Sequence, residues 1–255
     1  MTTAGIDAGA KRIKVVIVRD GAVLARKSAE SGLDAGAVSG RLLDAALSEA
    51  GVGRDGLAQV AVTGAGASAL LAATAKVSVV RALSLAASRL DPAVRTVIDV
   101  GAEESRAVRL DDKGNAEDFA LNDKCAAGAG SFIEAMSRAL EVPVEEMGKL
   151  ALAAETAVAM NAQCVVFAES EVVSLIHRRT PPGQIARAAY ESMAARVMTL
   201  LKRLGVTREV MAVGGMARDE GFMDALSRKL GVKVLAPEYP EYACAFGAAL
   251  AARGK

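Results

Sequence analysis

The chain of 255 residues has no tryptophan, a single histidine and only 3% aromatic residues. Hydrophobic residues nevertheless make up 52% of it, so its cores must be built from Ala, Val and Leu around closely packed, glycine-rich backbone. Neither sign of charge is in excess: 31 Lys and Arg face 30 Asp and Glu. No single-sign field therefore advertises nucleic acid or an anionic membrane surface, and neither is expected as a partner. Long apolar runs are missing too, because charges interrupt every stretch approaching the ~18 residues of a membrane span. The opening Met1–Lys14 enters a strand-like pattern without a leader's apolar stretch, which predicts a cytoplasmic protein. In that reducing compartment the three cysteines are not expected to be disulfide staples. Disordered and collagen-like classes fail on the same composition.

What is present is a rhythm of strands and helices. Ala4–Asp7, Ile13–Arg19 and Ala22–Ser28 read as three short strands, with a hairpin signal at Asp20–Gly21. Apolar residues at helical spacing follow over Ala37–Ala50, ending on Gly51, and Val60–Thr63 is a short buried strand. Residues 66–92 read as helical, with one break near Val77–Val80. The pattern then restarts with strands at Thr96–Val100, Ala107–Leu110 and Glu117–Leu121. Helices are expected at 130–140, 143–154, 166–179 and 183–204, a strand at Glu209–Val213, a helix at 219–230, a strand at Lys233–Leu235 and a last helix at 243–252. Both halves open with three hairpin-linked strands whose first ends in Asp-x-Gly, an internal repeat of about ninety-five residues. The expected organisation is an N-terminal lobe over 1–94, completed by the helix within 243–255, and a second lobe over 95–242. Two α/β lobes of this kind form a ligand cleft between them.

Asp7–Ala8–Gly9 and Asp99–Val100–Gly101–Ala102 each place a carboxylate at a strand end, before a sharp backbone turn. Such loops expose N–H groups to phosphate oxygens, and their aspartates can hold Mg²⁺ through water. Val213–Gly214–Gly215–Met216 is a third glycine element, suited to close approach of a flat group such as adenine. The chain has neither a P-loop nor a strand-borne dinucleotide fingerprint.

These residues resemble the actin, Hsp70 and sugar-kinase superfamily, which implies two duplicated, ribonuclease H-like α/β lobes with a nucleotide cleft between them. By that resemblance Asp7–Gly9 is the first phosphate loop, Asp99–Gly101 the second and Gly214–Gly215 the adenosine loop, and ATP with Mg²⁺ is the ligand. Gly9, Ala10, Lys14, Gly101, Ala102, Gly128, Gly130, Gly214, Gly215 and Met216 are the expected cofactor contacts, and Asp7 and Asp99 the catalytic, Mg²⁺-holding carboxylates.

Two cysteines remain to be explained. Asn122–Gly130, with Cys125, leads into one expected helix, and Gln163–Glu171, with Cys164, into another. The half-positive field at a helix start favours thiolate, and Lys124 adds to it. Their separation is no local zinc pattern, and the lone His177 is a poor fourth ligand. A [4Fe–4S] cluster takes four thiolates, which a twofold homodimer supplies if its axis passes through the cluster.

The same strings are similar to those of the activators of 2-hydroxyacyl-CoA dehydratases and the ATPase subunits of benzoyl-CoA reductases. The likeness covers Gly5–Lys14, Val97–Arg109, Asn122–Leu140, Cys164–Leu175, Gly214–Gly221 and Ala243–Ala249. It implies an oxygen-sensitive homodimer with one cluster on Cys125 and Cys164 of each protomer. Ferredoxin or flavodoxin would donate an electron, and ATP hydrolysis would drive it into an iron–sulfur dehydratase or reductase. The second loop departs from the family wording Asp-x-Gly-Gly-Gln-Asp-Ser-Lys, since Ala102, Glu103 and Glu104 stand where a glycine, an amide and an aspartate are usual. Repulsion between Glu103 and phosphate opposes ATP binding unless Mg²⁺ or a basic residue compensates, although Glu103 can also position the attacking water. Glu169 and Glu171 are expected to complement a helix dipole, and Cys244 to pack in a core. Two rival readings from the superfamily are a small-molecule (amino sugar) kinase, which needs an acceptor pocket with a base, and a non-enzymatic actin-like scaffold, which polymerises without iron.

Overall fold

A computed structural model describes residues 1–69, 74–122, 129–161 and 164–253. Its first compact unit comprises Met1–Val97, Val108–Asp118 and Glu238–Lys255, and its second Ile98–Ala107 and Phe119–Pro237.

In the first unit, strands β1 (Thr2–Ala8), β2 (Arg12–Arg19) and β3 (Ala22–Glu30) form an antiparallel meander. Asp20 and Gly21 both take positive φ, 53° and 87°, which gives the two-residue turn the twist that the flanking strands need. Strands β4 (Gln59–Thr63) and β5 (Ala75–Lys76) add in parallel, giving the order β3-β2-β1-β4-β5. Helix α1 (Ala35–Ala50) starts where Asp34 accepts the Ala37 N–H at 2.8 Å and stops at Gly51, whose φ of 62° suits glycine. Helix α2 (Val79–Leu90) is capped by Ser78, which accepts the Arg81 N–H.

The helix expected over 66–92 is corrected by these elements. Residues 67–69 make a single 3₁₀ turn, and Ala75–Lys76 pairs with Ala61–Val62 as strand. The Thr74 hydroxyl binds both the N–H and the carbonyl of Val60, at 3.1 and 2.9 Å, and so fastens that short strand to the sheet. Residues 70–73 of the expected helix lie outside the described residues.

The scarcity of aromatics has a direct structural use in helix α8 (Ala243–Ala251), which lies on β1 and α2. A β-carbon on Gly5 would stand 1.9 Å from the Ala245 carbonyl oxygen, and one on Gly247 1.8 Å from that of Ala82. Backbone therefore touches backbone, and only glycine permits it. Cys244 is buried on this helix.

The second sheet has the order β8-β7-β6-β9, from β6 (Thr96–Val100), β7 (Ser105–Leu110), β8 (Ala116–Asn122) and β9 (Val210–Val213). The strand expected at Lys233–Leu235 is reduced to one parallel bridge, Leu235 to Met211. Helices α3 (Gly130–Leu140), α4 (Val144–Leu152), α5 (Val165–His177), α6 (Pro182–Leu204) and α7 (Glu220–Leu230) belong to the second unit. One core joins Phe132 and Met136 of α3, Ala168 and Val172 of α5, and Tyr190, Met193 and Val197 of α6. No helix among the described residues is long and apolar enough to cross a membrane.

Candidate functional site

In the first unit β1 delivers Asp7 almost fully buried, and sheet register sets its neighbours: Lys14 across β2 and Thr63 across β4. Registered residues share a face of the sheet. Lys14 Nζ donates to Asp7 Oδ2 at 3.1 Å. The other carboxylate oxygen leans over Gly64, the residue after β4, whose φ is +94°. A β-carbon there would lie 2.6 Å from both Asp7 Oδ1 and the Ala8 carbonyl oxygen. Gly9 turns the chain tightly against Arg12 and Lys14, its carbonyl accepts from the Ser31 hydroxyl at 2.9 Å, and Ala10 is exposed at the tip.

The second unit repeats this plan. Asp99 is buried at the end of β6, and Arg106, seven residues on as Lys14 is from Asp7, donates from Nη1 to Asp99 Oδ2 at 2.9 Å. Gly214, the residue after β9, has φ +85°, and a β-carbon on it would lie 2.4 Å from the Val100 carbonyl oxygen and 2.6 Å from Asp99 Oδ1. Each half thus has a buried aspartate, a cation across the hairpin on one carboxylate oxygen, and a positive-φ glycine under the other. The place of Thr63 is taken by Val213.

The second loop also disposes of its unusual acids. Arg106 pairs with Glu104 as well as Asp99, while Glu103 stands exposed. The Gly101 N–H donates to the Glu104 carbonyl at 2.9 Å and closes the turn, so this amide is used within the loop. At the start of α3, the Gly130 N–H donates to the Gly101 carbonyl at 2.9 Å, and that of Ser131 to Ala102 at 2.8 Å. Gly215 differs from its neighbour: a β-carbon on it would meet nothing within 4 Å, and it is exposed. Met216 sits against Gly130, 3.2 Å from Sδ to the position of a β-carbon. Beyond Met216, Asp219 caps α7 by accepting the Phe222 N–H at 3.0 Å and accepts from the Tyr190 hydroxyl at 2.6 Å. Burial pushes the Asp219 carboxyl above the ordinary carboxylate range, and burial together with that carboxylate pushes the Tyr190 phenol up.

Cys164 is the N-cap residue of α5 and is exposed. Cys125 and Gly128 lie outside the described residues; α3 begins five positions after that cysteine. Among the described residues no group of three or more His, Cys, Asp and Glu is placed to hold a metal, and Cys164 is the described thiol of the second unit. An exposed thiol at a helix start fits a cluster completed from a second chain. Helices α3 and α5 pack together, with Arg138 and Glu169 3.7 Å apart across them. Both Glu171 oxygens accept the Asn161 N–H, at 3.0 and 3.1 Å, which ties Asn161 to α5. The two glutamates thus make specific contacts beyond the dipole role expected of them. Beside Cys164, α5 exposes Val166 and Phe167 at 65% and 69%, with Val173 and Ile176 further along.

Arg106, Gly64 and Thr63 join these loops without having been singled out in the sequence. Applying the Asp7-to-Lys14 spacing to Asp99 finds Arg106, and Gly64-Ala-Gly66 after β4 parallels the glycines after β9.

This is the fold of the actin, Hsp70 and sugar-kinase class, with one loop geometry repeated in its two halves. The BadF/BadG/BcrA/BcrD ATPase family model matches residues 4–252, and the chain belongs to that family. It is 34% identical to the (R)-2-hydroxyglutaryl-CoA dehydratase activating ATPase of Acidaminococcus fermentans, over 99% of this chain and 97% of the relative. It is 32% identical to a benzoyl-CoA reductase component of Thauera aromatica, over 97% of this chain and 92% of that one. The activator of the 2-hydroxyisocaproyl-CoA dehydratase from Clostridium difficile, solved with bound ADPNP, superposes with a TM-score of 0.93 at 33% identity, covering 99% of this chain and 94% of that chain.

Proposed function

We propose that this ATPase activates a 2-hydroxyacyl-CoA dehydratase by delivering a low-potential electron. The observation that carries the reading is the direct bonding of the second loop to the start of α3, which packs on the helix that Cys164 caps. ATP is the proposed ligand of the loops. Asp7 and Asp99 hold Mg²⁺ through water, and Ala10, Ala102 and Lys14 bind phosphate oxygens. Glu103, exposed, orients the attacking water, and Arg106 offsets the acids beside it. Gly215, with open space before it, accepts the face of the adenine.

Cys125 and Cys164 of two identical protomers are the proposed thiolates for a [4Fe–4S] cluster, which supplies a one-electron carrier when bound. The apolar side chains Val166 and Phe167 beside Cys164 favour a second copy of the chain as the cover of that end of α5. Ferredoxin or flavodoxin is the proposed donor, and an iron–sulfur dehydratase the acceptor. An electron-activating component of a benzoyl-CoA reductase is the second reading, favoured by the likeness to the Thauera aromatica protein.

The test is reconstitution under anaerobic conditions. Reduced protein mixed with a resting 2-hydroxyacyl-CoA dehydratase should start dehydration with ATP and not with ADP. Equal turnover with either nucleotide, or none with either while benzoyl-CoA reduction is supported, rejects the dehydratase assignment.

A further inference from the structure

The start of α3 is built in an unusual way. Helices leave their first N–H groups without partners inside the helix, and side chains or water normally serve them. Here the N-cap residue is Ala129, with no side-chain cap bond, and the first amides go to the carbonyls of the second loop. Gly130 is buried at that junction. A β-carbon on it would stand 3.3 Å from the Gly101 carbonyl oxygen, 3.2 Å from Met216 Sδ and 3.4 Å from Met216 Cγ. Two loops distant in sequence therefore bear on one residue, and that residue is the first of a helix.

We infer that Gly130 is the positioning residue through which the second loop and the Gly214–Met216 loop jointly set the placement of α3, and through α3 that of α5 and Cys164. The inference rests on the nucleotide reading of the loops. A shift of Gly101–Ala102 either carries α3 with it or breaks two backbone hydrogen bonds at a buried junction, and carrying the helix is the less costly course. The helix transmits the shift because Phe132, Ile133 and Met136 share a close-packed core with Ala168, Val172 and Leu175 of α5. The Arg138–Glu169 pair links the same two helices at their surface. Nucleotides that differ in the γ-phosphate act on this device only through different contacts with the loops, which places the switch at the loops and the readout at Cys164. Glycine suits position 130 because a β-carbon there would press on the Gly101 carbonyl and the Met216 side chain at once.

The experiment uses cluster-free protein, so that it does not depend on iron. Alkylation of Cys164 by iodoacetamide is timed by peptide mass spectrometry with saturating ADP or a non-hydrolysable ATP analogue, saturation being set by a separate titration. In the wild type the two rates should differ by about fivefold or more. In Gly130→Ala the neighbours must give by a few tenths of an ångström, and the ratio should fall to within about twofold. Met216→Ala, which removes the side chain pressing on Gly130 and adds no atom, should lower the ratio as well and guards against misfolding of the first variant. A Gly130→Ala protein that binds both nucleotides and keeps the wild-type ratio overturns the inference alone. A wild type that binds no ATP overturns the nucleotide reading and the inference together.

Discussion

Alanine at Gly214 and alanine at Gly215, adjacent in sequence, separate a glycine that the fold needs from one that a ligand needs. Gly214 has φ +85°, and its added β-carbon would lie 2.4 Å from the Val100 carbonyl oxygen and 2.6 Å from Asp99 Oδ1. The left-handed backbone costs an L-residue about 1–2 kcal/mol, and overpacking against fixed backbone about 1–3 more. Gly214→Ala should therefore lose about 2–5 kcal/mol of stability in denaturant unfolding of the apo protein. At Gly215 a methyl group meets nothing within 4 Å, so its stability should stay within about 0.5 kcal/mol of wild type. If adenine packs on this backbone, however, the same methyl must be accommodated in the complex, at about 1–3 kcal/mol. That corresponds to roughly 5- to 150-fold weaker ATP binding by calorimetry. Gly215→Ala binding ATP within about twofold of wild type, or unfolding as easily as Gly214→Ala, would refute the reasoning.

Other expectations follow from the buried charges and hydroxyls. Arg106→Met leaves the Asp99 carboxylate, almost fully buried, without its cation. It should cost about 3–5 kcal/mol in chemical unfolding, and adding Asp99→Asn should recover much of that loss. Thr63 Oγ1 is buried without a hydrogen-bond partner, and the corresponding place in the other half is Val213. Thr63→Val should accordingly be neutral or stabilising by up to about 1 kcal/mol in the apo protein; a loss of more than that would show that the hydroxyl has a structural partner. The raised carboxyl of Asp219 makes the native state hold a proton that the unfolded chain releases near 3.8. Its contribution is thus present in acid and is lost as pH rises through the folded-state value. Asp219→Asn, which can still cap α7, should gain on wild type in thermal unfolding as pH is raised from 3.8 towards the folded-state value, and a constant difference across pH would contradict the burial argument.

The meander and its Asp20–Gly21 turn were legible because strand period and turn chemistry are local properties of the sequence. Most of the helices were legible for the same reason, the helical spacing over Ala37–Ala50 stopping at Gly51 as α1 does. Residues 75–76 were not, since a strand of two residues exists only because Val60–Val62 lies beside it and Thr74 pins it there. At the loops, residue types at strand ends gave Asp7, Asp99 and Gly214. Their partners depended on what meets in space: Arg106 choosing both Asp99 and Glu104, or Glu171 reaching back to Asn161. The amides of Gly101 and Gly130 look available to phosphate in sequence, and the fold spends both on its own carbonyls. That distinction rests on backbone geometry, which residue type does not encode.

Iron and acid-labile sulfide in the anaerobically purified protein are the most direct measure of whether paired thiols hold a cluster between two copies of this chain. About four of each per dimer are expected, with near-complete loss in Cys164→Ser or Cys125→Ser and none in Cys244→Ser. A monomer, an iron-free dimer, or iron retained after Cys164→Ser would contradict the electron-transfer function and leave an ATPase with some other task.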